Sequence, residues 1–452
     1  MRTSPSMTAA AIAIAASAST WVACKKDEPS RPAPVASGIT LAAPGASSGS
    51  PGSANVVAES LPRCRVDGSK LAIPGDDVVV GDAVVSGDAL LVGVVRREGG
   101  KRLASIVRAS LDLASVRAVD LGAALGDDPP PSPRVHGGRA FALGFSRAPG
   151  ATRVLEVHRI EASGLVSEGS VVQQADESLA YDVAWPEGEP AAPLVAWDED
   201  APPRPAALLA DRGVVKVQIL GTKTDKARVA SPESSDAEAP RLLARRGGYW
   251  LAWLARRSEQ AGEDAGPSNT AEGAGERRAY RWVELVALDA KGEATSPVKR
   301  ISPEKGRVAS FDLTSIAREG DGAAQLVIVV QDEAAHAEGA GERIVRYAID
   351  GEKIDVGDLL DGGVGHALAE LLPAAADAAA PRWLAFTDTQ EHAHLAPLGP
   401  ALRLSARPTA EPALDGARIV AAAPPDVVYA VGSSLASDAA GGRIELRRLV
   451  CR

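Results

Sequence analysis

Short apolar runs recur along the chain at intervals of roughly 50 residues, and each is followed by a loop and a second apolar run. The first runs are Leu90–Val95, Phe141–Phe145, Leu194–Trp197, Tyr249–Leu254, Leu326–Val330, Trp383–Phe386 and Val427–Val431. They are almost continuously apolar, as expected for strands covered on both faces. The partner runs, among them Ile106–Leu111, Val154–Ile160, Ala206–Ala210, Trp282–Leu288, Arg343–Ile349, Ala393–Leu398 and Arg443–Leu449, alternate more clearly between apolar and polar positions. First-strand segments precede each pair, such as Ala83–Val85, Ala180–Trp185, Arg241–Ala244, Phe311–Ile316 and Arg418–Ala421. Fourth-strand segments follow, at Val116–Leu121, Val214–Leu220, Val298–Ile301 and Leu402–Ser405. Seven such units with only strand signals predict an all-β fold, a single seven-bladed β-propeller of four-stranded blades.

Closure of the ring follows from what the last unit lacks. After Arg418–Ala421, Val427–Val431 and Arg443–Val450 no fourth strand remains, whereas Arg63–Ile73 is an unassigned strand-like segment ahead of the first unit. The N-terminal strand is therefore expected to close the last blade and remove its open edge. Two of the three cysteines, Cys64 and Cys451, sit on the strands this closure brings together, and a disulfide between them is predicted for an exported chain.

Ahead of the propeller the pattern disappears. Arg2 and the mildly apolar Thr8–Thr20 read as a secretory signal over residues 1–23, too short to span a bilayer. Trp21-Val22-Ala23-Cys24 resembles a bacterial lipobox. That resemblance implies cleavage before Cys24 and lipidation of its thiol. Residues 24–62, rich in Pro, Ala, Gly and Ser, then form a disordered tether of about 30–36 Å root-mean-square reach, leaving 63–452 as the propeller domain. No other apolar stretch is long enough to cross a membrane as a helix.

The turn after the third strand of the fourth unit reads Leu285-Val286-Ala287-Leu288-Asp289-Ala290-Lys291-Gly292, and the fifth has Tyr347-Ala348-Ile349-Asp350-Gly351. Both resemble the strand-turn of pyrroloquinoline-quinone-like repeats. Those occur in quinoprotein dehydrogenases and in the propeller lipoprotein of the outer-membrane barrel-assembly machinery. The resemblance covers two of the seven units and implies a bacterial β-propeller lipoprotein.

A formal charge of −10 with no basic cluster argues against nucleic acid, and 4% aromatic residues offer few stacking platforms. His392-x-His394 with Asp388 and Glu391 nearby has ligand-like spacing, but it reads as a polar strand edge. The pairs Asp76-Asp77, Asp127-Asp128 and Asp198-Glu199-Asp200 lie in Pro- or Gly-flanked loops and lack calcium-loop spacing. No Gly-x-Ser-x-Gly elbow or phosphate loop is present. No catalytic, metal or cofactor residue is assigned. Residues 256–279 and 331–342 are long hydrophilic inserts between second and third strands of adjacent units, expected to emerge from one rim. The expected function is a non-enzymatic, monomeric, lipid-anchored scaffold or binding protein of the cell envelope, meeting a protein partner on that rim. The alternative is an envelope enzyme (hydrolase, lyase or quinoprotein-like) with its site in the propeller funnel. Titratable residues converging on the ring centre would favour the alternative.

Overall fold

The computed structural model describes residues 64–451 apart from 126–127, 148–152, 162–163, 173–179, 188–191, 201–212, 222–225, 258–279, 318–323, 333–341, 366–369, 374–380, 391, 405–407, 409–416, 424–425 and 434–443. The predicted signal, the Cys24 lipidation site and the tether lie outside the described residues. Residues 58–452 form one compact unit.

Every blade is an antiparallel meander. The closing strand is β1 (Cys64–Ala72). Blade one is β2 (Asp76–Ser86), β3 (Ala89–Glu98), β4 (Lys101–Ser110) and β5 (Val116–Ala123). Blade two is β6 (Ser132–His136), β7 (Arg139–Arg147), β8 (Arg153–Glu161) and β9 (Gly164–Val172). Blade three is β10 (Tyr181–Ala184), β11 (Leu194–Asp200), β12 (Gly213–Ile219) and β13 (Arg228–Val229). Blade four is β14 (Asp236–Arg245), β15 (Gly248–Arg257), β16 (Tyr280–Asp289) and β17 (Lys299–Arg300). Blade five is β18 (Val308–Ala317), β19 (Ala324–Asp332), β20 (Glu342–Asp350) and β21 (Lys353–Val364). Blade six is β22 (Glu370–Pro373), β23 (Pro381–Thr387) and β24 (Ala393–Pro397). Blade seven is β25 (Ala417–Ala423), β26 (Val427–Ser433) and β27 (Ile444–Cys451), completed by β1. The predicted seven-bladed propeller is the fold observed.

Burial explains why the second strands carry the apolar signal. In β3 the run Ala89–Arg96 is buried throughout, and in β19 so is Leu326–Asp332. Outer strands such as β1 and β5 alternate between covered and exposed positions, because only one face meets a neighbouring blade. Separate apolar clusters fill most of the joints between blades: Phe141, Tyr181 and Trp197 between two and three, Tyr249 and Trp253 between three and four, and Ile328 and Tyr347 between four and five. The joint between blades one and two is different. Its apolar clusters are small, and backbone approaches backbone instead: a methyl on Gly93 would overlap the Pro131 carbonyl. Glycine is required there by close approach.

The closure is as expected. β1 pairs with β27 in the register Cys64↔Cys451 to Ala72↔Glu445, with an irregularity between Val66 and Lys70 where Gly68 has φ 94°. Cys64 and Cys451 are disulfide-bonded, with Cα atoms 4.0 Å apart. Arg448 and Asp67 form an ion pair across the same strands. The Tyr429 hydroxyl donates to the Leu111 carbonyl at 2.8 Å and so pins blade seven to blade one.

Two strand assignments change. In blade three the partner of β11 is Gly213–Ile219, the segment expected as fourth strand, and the fourth strand is only Arg228–Val229. The predicted Ala206–Ala210 strand lies outside the described residues. In blade six the expected fourth strand at Leu402–Ser405 shows, among the described residues, one bridge, Leu398↔Leu404, after a 3-10 turn at Pro400–Leu402. Pro400 lacks an N–H, and Ala401 and Leu402 both have positive φ, so a ladder cannot begin there. Among the described residues no helix is long and apolar enough to cross a membrane.

Candidate functional site: a loop rim and an axial charge ring

Hairpins between second and third strands all open on one rim, because the meander repeats its direction in every blade. The paired strand ends that flank residues 201–212, 258–279, 333–341 and 434–443 lie at that rim. The long inserts themselves lie outside the described residues, but their bases do not. At the foot of the fourth-blade insert Arg256 pairs with Asp236 at 2.5 Å and Arg257 with Glu304 at 2.8 Å. Arg281 and Arg256 both lie 3.5 Å from Glu238. At the foot of the fifth-blade insert Arg343 faces Asp332 and Asp358, each at 3.8 Å. The opposite rim has tight turns such as Asp350–Lys353. At Asp289–Gly292 the Asp289 Oδ1 accepts the amides of Lys291 and Glu293, both at 2.8 Å, and Gly292 takes φ 74°.

Also on the loop rim is Asp198, at the end of β11. Its carboxylate accepts the Ala180 amide at 3.3 Å and the Ala239 amide at 2.7 Å, joining the innermost strands of blades three and four. Burial pushes Asp198 up to about 6, with Glu238 adding to the effect and the two amides opposing it.

A second constellation, which sequence reasoning missed, lies on the ring axis. Five successive innermost strands contribute charged residues of alternating sign: Asp82 on β2, Arg134 on β6, Asp182 on β10, Arg241 on β14 and Asp312 on β18. Arg134 bridges two of them, donating to Asp82 and to Asp182 at 3.1 Å each. Ser132 adds a 2.5 Å hydrogen bond to Asp82. Asp182 and Asp312 repeat one arrangement. Each Oδ1 accepts the amide of the next residue, Val183 or Leu313, at 2.8 Å. Each Oδ2 accepts an amide of another innermost strand: Leu242 at 2.8 Å for Asp182, and Leu371 at 3.4 Å for Asp312. Register places Glu370 of β22, opposite Ala385, where β14 has Arg241 opposite Ala252.

Exposure differs sharply within the ring: the Asp182 side chain is buried, whereas Asp82 is partly open to solvent. The Asp82 side chain is 49% exposed although protein surrounds it on the innermost strand. Burial alone raises its carboxyl, but Arg134, the Ser132 hydroxyl and Arg241 outweigh that and hold it down at about 2. Asp312 is pushed up by burial and by the charge of Asp182, against Arg241 and the two amides. Arg241 in blade four therefore acts electrostatically on blade one and on blade five. The single-letter pattern concealed the ring because its members share no sequence spacing and nothing sets them apart from the other polar residues of their strands.

Stability should consequently peak in mild acid. Asp198 binds its proton more readily in the folded chain, so its contribution is full below 3.8 and is lost as pH rises through 6. That loss is about 2–3 kcal/mol, and Asp312 adds to it in the same direction. Asp82 and Asp388, both held down at about 2, contribute above 3.8 and lose that stabilisation as pH falls. Urea unfolding at stepped pH should show a maximum near about pH 4; equal midpoints between pH 4 and 7 would contradict it.

The His392-x-His394 pair turns inward on Asp388, whose Oδ2 lies 2.9 Å from His394 Nε2 and 3.4 Å from His392 Nδ1. His394 also stacks on Phe386. Among the described residues no group of three or more His, Cys, Asp and Glu could hold a metal ion. A shallow groove of about 480 Å³ opens between blades one and two on the opposite rim, beside Arg108, Arg139 and Arg159. Arg108 is paired with Asp88, and Arg159 with Glu161 and Glu168. None of the residues that line the groove belongs to either constellation.

No protein-family model and no curated protein sequence matches the chain. It is similar in structure to the β-propeller domain of the Trilobed protease from Pyrococcus furiosus, at 10% identity over 82% of this chain and 95% of that one, with a TM-score of 0.43. It is similar to the GH93 α-L-arabinofuranosidase of Fusarium graminearum at 11% identity, over 84% and 96% of the two chains, with a TM-score of 0.42. A PL25 ulvan lyase is similar at 10% identity, over 85% and 94%, with a TM-score of 0.46.

Proposed function

We propose that the chain is a non-enzymatic binding protein of the cell envelope, held at a membrane by lipid on Cys24 and docking a protein partner on its loop rim. One observation carries this reading: the strand ends that flank the two long polar inserts, in adjacent blades, lie on one rim and carry a network of mixed ion pairs. A rigid ring with variable loops on one side is suited to presenting a docking face. The resemblance to pyrroloquinoline-quinone-like repeats adds a lipoprotein context. Its Asp-x-x-Gly pattern is accounted for by the hydrogen bonds of Asp289 in the turn.

The funnel-enzyme reading has its own support in Asp82 and Asp312, two carboxyls on the axis pushed in opposite directions. Against it, Asp182 and Asp312 accept backbone amides within the ring, and Arg134 is shared between Asp82 and Asp182.

Replacing Ser258–Glu276 by a short Gly/Ser turn tests the rim. The variant should keep its unfolding midpoint and lose its partner in co-purification from native envelopes. A companion Cys24→Ser variant should leave the membrane fraction. A loop-deleted protein that keeps both its partner and full cellular function would refute the docking role.

A further inference from the structure

We infer that the propeller axis binds a small zwitterion, a molecule carrying a carboxylate and a cationic group, between Arg241 and Asp82. This goes beyond the rim reading and does not depend on it. Within the ring, Arg134 is paired with two carboxylates, Asp82 and Asp182, and also donates to the Pro133 carbonyl. Arg241 is not matched in this way. Its guanidinium donates to the Pro240 carbonyl at 3.1 Å, and it forms no ion pair with a carboxylate among the described residues. The next residue, Leu242, donates its amide to Asp182 at 2.8 Å, and Asp182 shares Arg134 with Asp82, so Arg241 stands on a strand tied into the same cluster. A guanidinium on an innermost strand with no carboxylate partner is suited to a carboxylate, which it can hold through two parallel hydrogen bonds. Asp82 supplies the opposite pole. Its side chain is 49% exposed and ionised across the neutral range, with acceptor capacity beyond its bonds to Ser132 and Arg134.

The charges select the ligand class. A simple anion on Arg241 would lie near the carboxylates of Asp82 and Asp312, which repel it. A simple cation on Asp82 would meet the field of Arg241 and Arg134. A molecule with both signs avoids both penalties, and a free amino acid or short peptide has that disposition.

Calorimetric titration of the intact exported domain with glycylglycine, acetate and methylammonium tests this. Glycylglycine should bind at millimolar or lower concentration, with acetate and methylammonium roughly tenfold weaker or worse. Arg241→Gln should weaken glycylglycine binding by about tenfold or more while circular dichroism stays unchanged. Should Arg241→Gln fail to fold, Arg241→Lys keeps the charge without the fork and should still show a clear loss. Absence of glycylglycine binding, equal binding of the two single-charge probes, or unaltered affinity in a folded Arg241 variant would overturn the proposal.

Discussion

Asp182→Ala should cost about 3–5 kcal/mol of stability, the penalty for breaking a buried ion pair by removing one partner. Asp182 is only 5% exposed and holds three donors at once: the Arg134 guanidinium, its neighbouring Val183 amide and the Leu242 amide of blade four. Its removal leaves Arg134 with Asp82 alone and an innermost-strand amide without an acceptor. Asp182→Asn retains an acceptor and should cost less than half as much. Denaturant unfolding gives the comparison directly. A change below about 1 kcal/mol for the alanine variant would mean that the axial ring does not hold the blades together.

Loss of the Cys64–Cys451 bridge should have the other large effect. The bond closes a loop spanning 387 positions, for which chain entropy sets a ceiling of about 5–6 kcal/mol. Native bridges deliver about 2–5 kcal/mol, and that loss is expected for the paired Cys64→Ser, Cys451→Ser variant. The loss should also be local at first. β1 is held to blade seven by its ladder with β27 and by Arg448–Asp67, so its amides should exchange with solvent faster, ahead of those in blades four and five. Uniformly accelerated exchange in all blades, or stability equal to the bridged protein, would contradict a clasp at this seam.

The contrast between what the sequence announced and what it hid has a physical basis. Second strands such as Leu90–Val95 and Leu326–Val330 are covered on both faces, so their burial is written as unbroken apolar runs. The bridge was legible because Cys64 and Cys451 flank the repeats and the last blade lacked a strand. Blade three was misread because the strand partnering Leu194–Asp200 is chosen by hydrogen-bond register, and an apolar run beside Pro203 and Pro205 carries no register information. The truncated outer edge of blade six depends on backbone angles at Ala401 and Leu402 that no composition reveals. Asp82, Arg134, Asp182, Arg241 and Asp312 were not singled out, because only ring closure brings them together. Asp198 appeared as one acid of a solvated loop triplet, whereas its side chain is buried between two innermost strands.

The central claim is that one rim meets a protein partner at a membrane. Site-specific photo-crosslinking in the native cell tests it most directly. Reactive side chains would be placed at Glu98 in the β3–β4 turn and at Glu263 within the fourth-blade insert, with Glu352 on the opposite rim as the comparison. Glu98 and Glu352 are both solvent-exposed, so access does not bias the result. The account predicts that Glu98 and Glu263 capture one and the same membrane-fraction protein and that Glu352 does not. Capture from Glu352 alone, or no capture from either rim position in intact cells, would contradict it.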